Sequence, residues 1–273
     1  MPYVTTKDQV RLYIKDWGTG RPVIMMHGWP LSADTFDDLA MAVAGAGLRA
    51  IAYDRRGFGR SDQPWGGYDY DTLADDLGSV IHEYIGAKDA TILGFSMGGG
   101  EVARYMSRHG GRGVKQAILV ASVVPYMLKT ADNPKGVDQS VFDAAAKAIK
   151  EDRAKFWTGF FKDFYGAGTL SQPVSDEVLE WSRGVSMQAG LNATLGCAKA
   201  FSSTDFRPDL ASFRLPTLII HGTNDKTVPI DTSARPAAAA IAGSQLIEYD
   251  GAPHGLLASH TNRLIEDVLR FVR

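Results

Sequence analysis

The chain is almost without cysteine. Cys197 is the one thiol among 273 residues, so neither an intramolecular disulfide nor a cysteine zinc site can form. Net charge is nearly absent too: 29 Lys and Arg against 31 Asp and Glu leave −2, which removes the electrostatic basis for binding nucleic acid or an anionic membrane surface. No uninterrupted apolar stretch approaches the roughly 18 residues of a membrane span. The opening residues, Met1 to Asp8, have neither a basic region nor an apolar one of the kind that directs secretion, so a soluble cytoplasmic protein is expected. Internal repeats and low-complexity linkers are missing as well.

What is present is ordinary globular composition, 45% hydrophobic and 22% charged, in a length that α/β folds use as one unit. Val10 to Trp17 alternates apolar and polar residues as a half-exposed edge strand does. Pro22 to Met26 is continuously apolar, the pattern of a strand covered on both faces, and it ends in His27-Gly28-Trp29-Pro30. A helix from Thr35 to about Gly45, with Asp34 as its cap, leads to a strand over Leu48 to Tyr53. The turn Asp54 to Asp62 that follows lacks the third glycine of a dinucleotide fingerprint. Next come a helix over Tyr70 to Ile85, a strand over Ala90 to Leu93, a helix over Met97 to His109 and a strand over Lys115 to Ala121. Such alternation argues for a parallel sheet with helices on both faces.

From Ser122 to about Phe206 strand signals stop, and amphipathic helices carry Phe142, Phe156, Trp157, Phe160, Phe161, Phe164, Tyr165 and Trp181. We read residues 122–206 as a helical lid inserted between sheet strands, with 1–121 and 207–273 forming the core. An aromatic stripe at helical spacing is more often packing than ligand contact, but a lid must pack on something. The sheet resumes at Leu215 to Gly222, then a helix from Asp231 to about Ala242 has Pro236 near its start, where proline must sit in the first turn. Gln245 to Tyr249 is the last strand, followed by the turn Asp250 to Gly255 and a terminal helix.

The chemistry centres on Gly94-Phe95-Ser96-Met97-Gly98. A serine with glycine two positions either side, between strand and helix, fits the sharp turn that exposes a nucleophile at a helix N-terminus. A serine hydroxyl needs a base, and the base needs an orienting group. Of six histidines, His27 and His221 end strands and read as buried turn anchors, whereas His82, His109 and His260 belong to helices or their ends. His254 alone stands in a loop after the last strand. Asp225 follows the strand ending at Gly222, while Asp231 and Asp250 look like a helix cap and a turn residue. The order Ser96, Asp225, His254 is that of the α/β-hydrolase pattern. For the oxyanion, the donors are the amide of Met97 and that of Trp29, since Pro30 has none. Pro30 also biases Trp29 toward extended backbone.

His27-Gly28-Trp29-Pro30, Asp54 to Ser61, Gly94 to Glu101, Gly222-Thr223-Asn224-Asp225 and Pro253-His254-Gly255 together resemble the cofactor-free haloperoxidases and arylesterases of the α/β-hydrolase superfamily. The resemblance spans the chain and is weakest in the lid. It implies an α/β-hydrolase fold with a mostly parallel eight-stranded sheet and a metal-free serine esterase. It further implies no cofactor, a small ester as substrate, and water or hydrogen peroxide as acyl acceptor. Perhydrolysis gives a peracid that oxidises halide in solution, and the proline after Trp29 is similar to members with appreciable perhydrolase activity. A compact apolar pocket from Phe95, Pro30, Val123, Phe160, Phe161 and Val228 would favour short acyl or aryl esters. Epoxide hydrolases and haloalkane dehalogenases are disfavoured because they need a carboxylate where Ser96 stands. Lactone, carbon–carbon bond and amide hydrolysis use the same three groups and stay open, as do a ligand receptor on this fold and a homo-oligomer.

Overall fold

The computed structural model describes residues 2–168 and 171–273. Its sheet has eight strands: β1 (Tyr3–Thr5), β2 (Arg11–Trp17), β3 (Pro22–Met26), β4 (Arg49–Tyr53), β5 (Ala90–Phe95), β6 (Val114–Val120), β7 (Thr217–Gly222) and β8 (Gln245–Tyr249). They lie in the order β1-β2-β4-β3-β5-β6-β7-β8. Only the pairs made by β2, with β1 and β4, are antiparallel. Every residue of β3, β5 and β7 is buried, which is why these strands read as unbroken apolar runs. The fold class agrees with the expectation. The eighth strand, β1, has no readable signal because three residues are too few for an alternation to register.

Strand order reverses at β3. Chain connections leave it toward β4 on one side, while β5 through β8 build outward on the other, so the crevice at the carboxyl ends of β3 and β5 is the topological switch point. There the loop after β3 and the turn after β5 face one another.

Helices α1 (Asp37–Gly45), α2 (Tyr70–Ser79), α3 (Met97–Arg108), α7 (Ala234–Ala240), α8 (Leu256–Ser259) and α9 (Thr261–Val272) belong to the core. Two local expectations are corrected. The first helix starts with a 3-10 turn, Ala33–Phe36, capped by Ser32 and not by Asp34; the Ser32 hydroxyl accepts from the Asp34 amide at 3.3 Å. Asp34 instead takes ion pairs from Lys15 and Arg60, a demand from distant chain that capping preference cannot register. The expected helix from Asp231 is split at Ser233 (φ −127°, ψ −90°), leaving a 3-10 turn and α7, with Pro236 in the first turn of α7 as the missing proline amide requires.

Between β6 and β7 the chain forms α4 (Gln139–Tyr165), α5 (Asp176–Gln188) and α6 (Leu191–Ser203). Helix α4 is broken at Asp152 (φ −154°, ψ 86°). Its second half carries an aromatic stripe that meets the loop after β3: Trp29 has Trp157 at 5.1 Å, Phe160 at 5.5 Å and Phe201 of α6 at 5.3 Å, all edge-on.

Candidate active site

The turn between β5 and α3 is built by exclusion of side chains. A Cβ at Gly94 would stand 2.3 Å from the Gly98 carbonyl oxygen, and one at Gly98 would stand 2.3 Å from the Met26 carbonyl oxygen of β3. Only glycine permits this approach. Ser96 itself takes φ 54°, ψ −116°, a backbone conformation costing roughly 1–3 kcal/mol for a residue with a side chain. The turn is held by the Ser96 amide donating to Val120 O at 2.8 Å, and by Ser96 O accepting from Gly99 at 3.0 Å and Val123 at 3.3 Å. Val123, expected in the pocket, therefore buttresses the turn through its backbone.

The loops after β7 and β8 bring the other two groups to this serine. His254 Nε2 lies 2.9 Å from Ser96 Oγ, and His254 Nδ1 lies 2.6 Å from Asp225 Oδ2. Asp225 Oδ1 accepts from the amides of Thr227 at 2.9 Å and Val228 at 2.7 Å. Burial alone would raise the Asp225 pKa. Attraction to the His254 ring in its protonated form, together with hydrogen bonds from His221 and His254, outweighs burial and holds the carboxyl well below the usual carboxylate range. An ionised Asp225 can only accept, so Nδ1 of His254 carries a proton and Nε2 is left to take one from Ser96. All three side chains are buried, His254 completely. Asp231 and Asp250, the alternatives to Asp225, are engaged elsewhere: Asp231 accepts from Arg235 at 2.6 Å, and Asp250 from Thr223 Oγ1 at 3.3 Å.

Across the crevice, Trp29 and Pro30 are the central residues of a turn closed by Leu31 N donating to Gly28 O at 2.9 Å. That turn does not consume the Trp29 amide. Met97 opens α3, where helix geometry leaves its amide free. The loop is clamped from below. The Arg55 amide donates to His27 Nε2 at 3.0 Å, which leaves the imidazole proton on Nδ1 for Gly28 O at 2.9 Å. Burial, reinforced by the Arg55 charge, pushes the His27 pKa well below the ordinary histidine range, so the ring is a neutral strut. Arg55 also donates to the His27 carbonyl at 2.5 Å and to Glu101 Oε1 at 2.5 Å, and Tyr53 OH donates to Glu101 Oε2 at 2.8 Å. From above, Trp29 Nε1 donates to Thr194 O of α6 at 2.9 Å.

The remaining pocket candidates divide. Phe95 packs on His254 at 5.3 Å, and Pro30 and Phe160 sit in the loop and in the aromatic cluster around Trp29. Phe161 is buried against Trp157, Phe164 and Tyr165, within the stripe. Val228 is buried beside Asp225 and serves it through its amide.

Three participants escape the sequence. Phe164 stands edge-on to His254 at 4.8 Å, and its carbonyl accepts from Gly255 at 2.9 Å. Its spacing of four from Phe160 places it on the same helix face, which was the available signal. Glu101 lies four residues into α3 with nothing to reveal that its partner is Arg55, 46 residues away. His221 does anchor a turn, its Nε2 meeting Val228 O at 2.8 Å, but it also reaches Asp225 Oδ2 at 3.1 Å. Among the described residues, no group of three His, Cys, Asp or Glu is placed to hold a metal ion. No helix among them is long and apolar enough to cross a membrane.

Residues 21–261 match the alpha/beta hydrolase fold family. A non-heme chloroperoxidase from Kitasatospora aureofaciens is 39% identical over 100% of this chain and 99% of its own. A bifunctional esterase/perhydrolase from Acinetobacter calcoaceticus is 41% identical over the whole of both chains. Among solved structures, a bromoperoxidase from Bacillus anthracis superposes with a TM-score of 0.95 at 40% identity, covering 99% of this chain and 98% of its own. With a sheet order, a serine turn and a full-length likeness that all coincide, the chain belongs to the α/β-hydrolase fold family, on its branch of non-heme haloperoxidases and esterase/perhydrolases.

Proposed function

We propose that the protein is a serine esterase acting on small carboxylic esters, with Ser96 as nucleophile, His254 as general base and acid, Asp225 as its orienting carboxylate, and hydrogen peroxide able to replace water as acyl acceptor. The observation that carries the reading is the continuous chain from Ser96 Oγ through His254 to Asp225, at 2.9 Å and 2.6 Å. In the first half-reaction Ser96 Oγ attacks the ester carbonyl while His254 Nε2 takes its proton. The amides of Trp29 and Met97 receive the oxyanion, each such donor contributing roughly 3 kcal/mol to lowering the barrier. His254 returns the proton to the departing alkoxide or phenoxide, and the acyl group stays on Ser96. In the second half-reaction water gives the carboxylic acid; hydrogen peroxide gives a peracid, which oxidises a halide ion to hypohalous acid in solution and reverts to the acid.

Residues 122–206 serve as the lid over this chemistry. Phe95, Phe160 and Phe164, with Trp29, crowd the nucleophile's side of the crevice and favour a short acyl chain. The names of the relatives, chloroperoxidase and esterase/perhydrolase, support the pairing of activities. The test is a panel of p-nitrophenyl esters together with peroxide-dependent bromination in acetate, run on wild type and Ser96→Ala. Both activities should disappear together in the variant, and wild-type turnover should peak at short acyl groups. Bromination that outlives Ser96, or a peak at long chains, contradicts the proposal.

A further inference from the structure

We propose that His221 is a positioning residue for the reaction: its Nε2–H is shared between the Val228 carbonyl and the carboxylate of Asp225, and it fixes the oxygen that Asp225 turns toward His254. This rests on Ser96, His254 and Asp225 acting as assigned above. His221 ends β7 four residues before Asp225, and it is fully buried. Its Nε2 lies 2.8 Å from Val228 O and 3.1 Å from Asp225 Oδ2. Both of these atoms are acceptors, so the ring proton sits on Nε2. The other nitrogen, Nδ1, is buried and meets no partner among the described residues. A ring anchored only for packing would not leave one nitrogen unsatisfied while aiming the other at the one carboxylate that orients the base.

The consequence is an asymmetric carboxylate. Oδ1 is pinned by two backbone amides, and Oδ2 receives both imidazoles, from His254 at 2.6 Å and from His221 at 3.1 Å. Rotation of the carboxylate about its Cβ–Cγ bond would break the pair at Oδ1 and expose Oδ2 to the wrong partner, so His221 and the Val228 backbone act as one bracket. The proton of His221 also draws on Oδ2 in competition with His254. Other titratable groups near the bracket are Glu248, opposite His221 on β8, and Arg235, which is paired with it at 2.7 Å; Asp231 in turn pairs with Arg235. They are unchanged in every variant below and cancel in the comparison. The neighbouring strand β6 contributes only Ala117, Ile118, Leu119 and Val120 along its pairing with β7.

The experiment compares wild type with His221→Leu, His221→Gln and His221→Asn, with Ser96→Ala as the reference for the underlying chemistry. Active sites are counted by the acyl burst, so that misfolded protein drops out of kcat. Leu removes the donor. Gln can place an amide N–H where Nε2 stands, and Asn is too short to reach. For Leu and Asn we expect kcat to fall about tenfold, the rate equivalent of one hydrogen bond to a charged group, with KM within about twofold of wild type. The acid limb of kcat/KM should move to higher pH, because a carboxylate relieved of one donor interacts more strongly with the His254 imidazolium. Gln should recover most of the rate and the original acid limb. If Leu does not fold, the Gln and Asn pair, alike in chemistry and different in reach, decides the matter. Leu and Asn at wild-type kcat with an unmoved acid limb would overturn the assignment while an inactive Ser96→Ala leaves the three-residue reading standing. Equal losses in Gln and Asn with no change in the pH profile would assign His221 to packing and also overturn it. An active Ser96→Ala would overturn both.

Discussion

Replacing Glu101 with glutamine should unfasten the loop that carries Trp29. Glu101 and Arg55 each expose only 1% of their side chains. Arg55 binds the His27 carbonyl, and Tyr53 OH donates to the same carboxylate. Burial raises the Glu101 pKa, and the facing Arg55 charge and the hydrogen bonds from Tyr53 and Arg55 oppose that rise. Glutamine keeps the shape and one acceptor but leaves a guanidinium in the core without a counter-charge. Removing one partner of a buried pair costs about 3–5 kcal/mol, against about 0–1 kcal/mol for an exposed pair. At about 2–4 °C per kcal/mol for a chain somewhat shorter than this one, the thermal midpoint should fall by roughly 6–20 °C. Differential scanning calorimetry measures the shift, and p-nitrophenyl acetate turnover should drop with it, because the loop loses its lower anchor. The double variant Glu101→Leu, Arg55→Met should regain part of the stability, since both charges leave together, but not all of it, because Tyr53 OH stays buried without its acceptor. A Glu101→Gln midpoint within about 3 °C of wild type would mean that Glu101 does not hold the buried Arg55, since that is the size of a surface effect.

Acid should destabilise the protein through carboxylates held low by their partners. Asp8 is drawn down to about 2, chiefly by its hydrogen bond to Arg56, and Asp225 is also depressed. Depressed folded-state values mean that the stability is present above the ordinary carboxylate range and is lost as pH falls through the folded-state values, so the midpoint should drop between about pH 4 and pH 2. Asp8→Asn should flatten that slope in a calorimetric pH series, and an unchanged slope counts against the Arg56 pairing. Cys197 is fully buried, and burial pushes its thiol up to about 12. A disulfide reagent such as Ellman's at pH 8 should therefore modify the native chain negligibly and the denatured chain stoichiometrically; rapid reaction of native protein would contradict its burial.

Much of this architecture is legible from residue order because each signal is local. Pro22 to Met26 and Ala90 to Phe95 are buried on both faces, so their apolar runs announce a parallel sheet without reference to neighbours. Ser96, Asp225 and His254 each follow a strand, and strand ends at one sheet edge converge whatever the details of packing. What stays hidden depends on groups far apart in the chain. Asp34 looks like a cap until Lys15 and Arg60 are seen to claim it. The bond from Trp29 to Thr194 spans 165 positions, and nothing in either residue type marks it. His221 reads correctly as a turn anchor, because Val228 is near in sequence; its second contact follows only from how that turn folds Asp225 back beneath it.

Passage of the acyl group through Ser96 can be observed by trapping the acyl-enzyme. Wild-type protein mixed with p-nitrophenyl acetate and quenched in acid within the first turnover should carry one acetyl group, which peptide mass spectrometry should place on Ser96, and hydrogen peroxide supplied to the folded enzyme before the quench should discharge it to peracetic acid. Acetyl on another residue, or a wild-type chain that turns over ester while no acyl-enzyme can be trapped and Ser96→Ala remains active, would rule out acyl transfer through Ser96.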